Sequence, residues 1–129
     1  MSLNNKDLEK KVKSIANSLI YEKGYISSVD VLMRLDYLSK SDYEAWRLGK
    51  IPYLEKACQA NLSKLSFINK TIRKIANDLD LKKSWTGYNQ YGKSKNRRLR
   101  FSKSGNKNIE VAYATHYVDI DRSNELRNQ

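Results

Sequence analysis

Through roughly the first 80 positions the apolar residues recur at helical spacing. Leu8, Val12, Ile15, Ala16 and Leu19 share one face of a helix predicted over residues 6–23, and Gly24 supplies its stop. Ser27, with Asp30 three positions on, reads as a capped helix start. Val29, Leu32 and Met33 give that short helix its apolar stripe, and it ends near Asp36. After a connection over 37–39, another helix is predicted for 40–48, closed by Gly49. Pro52 suits the first turn of the next, which carries Leu54, Ala57 and Cys58 inward and breaks near 61–63. The strongest amphipathic pattern covers 64–79. There Leu65, Ile68, Ile72, Ile75, Ala76 and Leu79 form one face, while Lys70, Arg73, Lys74 and Asn77 form another.

The period then changes. Residues 84–91 are rich in aromatic and β-compatible side chains, 92–96 read as a turn-like basic loop, and 97–103 alternate. Leu99 and Phe101 point one way, Arg98 and Arg100 the other, so a β-hairpin is predicted over about 84–103. Residues 108–120 fit both a helix and a strand; the longer match and Asn108 as a cap favour the helix. Residues 122–129 read as a frayed polar tail. The expectation is one mainly helical α+β domain over 1–121, winged-helix-like, with helices in the first two-thirds and a basic hairpin towards the C-terminus.

Charge sharpens this picture. The 129 residues hold 25 Lys and Arg against 14 Asp and Glu, a formal net charge of +11. Residues 82–107 contain nine basic residues and no acid, so nearly all of the excess sits there. A charge serving only solubility would be interspersed, whereas a focused one attracts polyanions. Nucleic acid, DNA or RNA, is therefore the expected partner. Lys93, Lys95, Arg97, Arg98, Arg100 and Lys103 would meet phosphate from the hairpin, and Lys70, Arg73 and Lys74 from the helix. Trp85, Tyr88 and Tyr91 interleave rings with these cations and are the candidate base-stacking residues. Two helix-turn-helix pairings are open. The pair 29–36 and 40–48 has the right spacing, but Asp42 and Glu44 would face phosphate. The helix 64–79 beside the hairpin is chemically better suited to the reading role.

Signals for catalysis are sparse. His116 is the only histidine, and Asp119 lies one helical turn on, so a small nuclease centred on this pair is the runner-up. A third reading is a protein-interaction module, or self-association, through Tyr43, Trp46 and Tyr53. No phosphate-binding glycine loop, zinc-protease motif or paired cysteines occur, so no cofactor and no metal are expected. Cys58 is alone and reads as a small core residue. No run approaches the ~20 apolar residues of a membrane helix, and the start of the chain lacks a secretory pattern. A non-enzymatic nucleic-acid-binding protein of the reducing cytoplasm fits these readings best.

Overall fold

A computed structural model describes residues 4–92 and 97–129 of the chain. It is a mixed α+β structure, mostly helical, with one small antiparallel sheet. Helix α1 (Asn5–Lys23) starts at Asn4, whose side chain accepts from the Asp7 N–H at 2.8 Å. It ends at Gly24, whose φ of 82° is costly for a residue with a Cβ. A Cβ there would also lie 3.0 Å from the Ser123 backbone, so the glycine is needed for shape as well as for conformation. Strand β1 (Tyr25–Ile26) follows, then α2 (Ser28–Arg34). Ser27 Oγ accepts from the Asp30 N–H and donates to its carboxylate, a reciprocal cap.

Helix α3 (Lys40–Arg47) is capped by Ser39, and α4 (Leu54–Ala57) is a single turn. Helix α5 (Leu62–Asp78) begins two residues earlier than its apolar periodicity suggests, because Asn61 caps it. Its predicted apolar face is buried at Leu65, Ile68, Ile72, Ile75 and Ala76, and Leu79 lies outside, just past the helix end. That face packs along α1, where Leu8, Val12, Ala16 and Leu19 are fully buried. Among the described residues no helix is long and apolar enough to cross a membrane.

The C-terminal third departs from the predicted hairpin. Strand β2 (Lys82–Trp85) pairs with β3 (Thr115–Val118), in the register Lys82–Val118 to Trp85–Thr115. β3 also pairs with β1, so the sheet order is β1-β3-β2, all antiparallel. Ser84 and Trp85 pair with β3, and within the described part of 84–103 the two halves meet at one isolated bridge, Asn89 to Arg98, flanked by the Gln90 N–H to the Arg97 carbonyl and the Leu99 N–H to the Tyr88 carbonyl, each at 2.8 Å. The alternation agrees with the burial, since Leu99 and Phe101 are inside and Arg98 and Arg100 outside. It does not say which backbone takes the carbonyls. The Arg100 and Phe101 carbonyls accept the Leu54 and Glu55 N–H groups at 3.1 and 2.9 Å, donors left over at the start of α4.

The ambiguous stretch 108–120 resolves into both of its alternatives rather than one helix. Helix α6 (Lys107–Ala114) is capped by Asn106, and β3 follows without a break. In place of a frayed tail there is helix α7 (Ile120–Arg127), capped by Asp119 and tied to α1 by Arg122 Nε donating to the Tyr21 carbonyl at 2.9 Å. The aromatic core centres on Trp46, fully buried, with Nε1 donating to the Arg100 carbonyl at 2.9 Å and ring neighbours Tyr88 and Phe101. Trp46 therefore serves the core, and the Tyr43–Trp46–Tyr53 cluster is not an open aromatic surface.

Candidate nucleic-acid interface

Helix α5 exposes Ser66, Lys70 and Arg73 on the side turned away from its apolar face, with Leu62 at its first turn. These residues form one wall of a groove of about 1020 Å³. Helix α6 forms the opposite wall, through Asn108, Ile109 and Val111. The two-residue period of the sheet sends Lys83 of β2 and Thr115 and Tyr117 of β3 to the same side, and Lys103 enters from the loop before α6. Four cations, Lys70, Arg73, Lys83 and Lys103, thus reach one groove from three separate segments. None of them forms an ion pair with a described carboxylate.

The one acid in the groove wall is already engaged. Glu55 accepts from the Lys103 N–H and from the Tyr113 hydroxyl, each at 2.8 Å. Burial raises the Tyr113 pKa, and the Glu55 contact raises it further, so Tyr113 stays a neutral donor. Glu110 of α6 accepts from the Phe101 and Ser102 N–H groups at 3.0 and 2.6 Å, and from the Ser102 hydroxyl. Both carboxylates direct their lone pairs to the loop backbone and hold Lys103 at the rim. Lys74, grouped with Lys70 and Arg73 by sequence, instead approaches Glu9 of α1 at 3.8 Å and does not line the groove.

The remaining predicted cations divide by role. Arg98 donates from Nε to Asn89 Oδ1 at 2.7 Å and lays its guanidinium over Trp85, 4.7 Å from the ring centroid. Gly87 makes room for this stack, because a Cβ there would collide with the Arg98 guanidinium. Trp85 is 58% exposed, and Arg97 and Tyr91 are exposed nearby in the chain. Arg100 is different. Its guanidinium donates to the Ser102 and Lys103 carbonyls, each at 2.9 Å, and so closes the loop on itself. Lys93 and Lys95 lie outside the described residues.

Tyr88, a candidate stacking residue by sequence, is placed in the core. It is 9% exposed, edge-on to Phe101, and its hydroxyl lies 3.0 Å from His116 Nε2. The intervening turns bring it back into the core, which its place among polar neighbours does not reveal. His116 stacks flat on Tyr25 at 4.9 Å, and burial lowers its pKa, against the opposing pull of Asp30. The His116–Asp119 pair does not assemble. It requires a helix, but His116 is in β3 and the Asp119 carboxylate caps α7. Arg47 completes this inner cluster, its guanidinium 4.1 Å from the Tyr91 ring centroid and 5.0 Å from that of Tyr88. Cys58 is an inert packing residue, its thiol pKa pushed up to about 12 chiefly by burial.

Three features of the groove have no signal in the sequence. Lys83 is one cation of a basic stretch, Glu55 is one acid among many, and Leu62, Ile109 and Val111 look like ordinary helix residues. Only the groove relates them. No family model, no curated protein and no solved structure matches the chain.

Proposed function

We propose that the chain is a nucleic-acid-binding protein, without catalytic activity, that grips phosphates with the groove rim of α5, β2 and the loop before α6. The observation that carries this reading is the convergence of Lys70, Arg73, Lys83 and Lys103 on one groove while its only carboxylate is occupied internally. Unpaired cations at such a site attract a polyanion, and counterion release supplies the binding free energy. The Arg98–Trp85 stack, two residues along β2 from Lys83 and on the same side of the sheet, adds a further cation beyond the groove.

The order of elements supports the same reading by analogy with a helix-turn-helix domain that carries a wing. A helix, a short strand and further helices precede α5, which leads directly into β2, and the last strand lies between the first and second. In that analogy α5 is the reading helix and the connection 86–114, with α6 inside it, replaces a simple wing. Fold-level analogy sets the expectation; the groove chemistry supplies the reason.

The test is binding of labelled mixed-sequence single- and double-stranded oligonucleotides across a salt series. Wild type should lose about three powers of ten in affinity between low and moderate salt if roughly six phosphates are neutralised. A Lys70→Ala, Arg73→Ala, Lys83→Ala variant should bind more weakly, with its salt slope reduced by about one for each phosphate it no longer neutralises. A variant that binds like wild type with an unchanged slope refutes this surface.

A further inference from the structure

Leu62, Ile109 and Val111 line the same groove as the cations, and they are 55%, 41% and 42% exposed. Phosphate contacts leave these apolar wall residues unexplained. A duplex keeps its base faces inside the stack and presents phosphates and base edges. It would meet the cations and leave the aliphatic wall residues in water. An unpaired strand carries both missing parts, a phosphate backbone and exposed, weakly hydrated base faces.

We propose that this groove binds single-stranded nucleic acid, with phosphates on Lys70, Arg73, Lys83 and Lys103 and unpaired bases lying against Leu62, Ile109 and Val111. This deepens the nucleic-acid reading above and rests on it. The α5 wall from Leu62 to Arg73 runs for about 16 Å at ~1.5 Å per residue, room for a few nucleotides. Hydrogen-bonding groups for base edges line the same groove. Asn69 accepts from Ser28 Oγ at 2.7 Å through Oδ1, which leaves its amide N–H groups to donate, and Ser66 and Asn108 are exposed. An acidic amphipathic helix would also match walls that carry both apolar side chains and cations. Two residues along β2 from Lys83, however, and on the same side of the sheet, Trp85 offers an exposed ring with Arg98 over it, further ring and charge for an extended strand to meet.

The experiment compares, by fluorescence anisotropy, oligothymidine and oligouridine of about 12 nucleotides with a mixed-sequence duplex of the same length. A synthetic amphipathic peptide of glutamate and leucine is titrated in parallel. Wild type and a Leu62→Ser, Ile109→Ser variant are both used, and circular dichroism confirms that the variant is folded; both side chains are exposed, so the core is untouched. A single strand should bind about tenfold or more tightly than duplex, and the Leu62→Ser, Ile109→Ser variant should lose about that factor for single strand alone. Duplex binding equal to or tighter than single strand overturns the inference and leaves the nucleic-acid reading standing. So does single-strand binding that the Leu62→Ser, Ile109→Ser variant does not weaken. If neither oligonucleotide binds at low salt, the nucleic-acid reading falls as well, and saturable binding of the peptide in that case assigns the groove to a protein segment.

Discussion

His116 shows how a single residue's role depends on its neighbours. Stacked on Tyr25, bonded to the Tyr88 hydroxyl and partly buried, it is held below its ordinary pKa, mainly because burial disfavours the imidazolium. With the folded pKa lowered, the unfolded chain binds the proton more readily between the two values. Stability contributed by neutral His116 is thus complete above the unfolded pKa of about 6.5, and it is lost as the pH falls through the folded value. The thermal midpoint should decline as the pH is lowered from above that point, before the carboxylates titrate. In His116→Gln that part of the decline should flatten, as differential scanning calorimetry over the pH series would show. An equally steep decline in the variant would place the titrating group elsewhere. Tyr88 belongs to the same lesson: its residue type and neighbours suit an interface, and only its position in the core assigns it to packing.

At the scale of elements, the segment between Arg97 and Asn106 is paired only at its start, through the Asn89–Arg98 bridge, and beyond Leu99 it is ordered by acids on other elements. Glu110 of α6 holds the Phe101 and Ser102 N–H groups, and Glu55 of α4 holds that of Lys103. Hydrogen bonds to a charged acceptor contribute about 1.5–3 kcal/mol each, so Glu110→Gln should cost about 2 kcal/mol in urea unfolding. Amide exchange should quicken first at Phe101 and Ser102, while α1 and α5 keep their protection, since they pack through other residues. Uniform loss of protection across the chain would contradict this local role. The loop also explains why a half-buried alternation need not mark a strand. Leu99 and Phe101 show the burial of a strand, but their carbonyl neighbours serve the start of α4. Residues 108–120 carry the related difficulty. Period 3.6 and period 2 overlap there, and the change from α6 to β3 at Thr115 follows from the pairing partner β2, about 30 positions away in the chain.

Over the whole molecule, the ion pairs and the unpaired cations are segregated. The four ion pairs among the described residues join α1 to its neighbours or lie within α7. The groove cations have none. Lys70 and Lys74, one turn apart on α5, fall on opposite sides of this division. Lys74→Ala should therefore leave oligonucleotide affinity within about twofold of wild type, whereas Lys70→Ala should lower it severalfold and reduce the salt slope by about one. A competition titration at fixed salt distinguishes them; equal losses from both would mean that net charge, and not the groove, governs binding.

Helices α1, α2, α3 and α5, the Ser27 cap, the Gly24 stop and the concentration of positive charge after residue 80 were determined by the sequence alone, whereas α4 shrinks to one turn that starts beyond Pro52, and Asn61 sets the start of α5. Helical burial is a local property: side chains three and four apart share a face whatever else the chain does. The partner of each strand, the recruitment of Glu55 and Glu110 to the loop backbone, and the meeting of Lys70, Lys83 and Lys103 were decided only in the tertiary structure. Those relations join residues far apart along the chain, and the packing of α1 on α5 and of β3 between β1 and β2 brings them within reach.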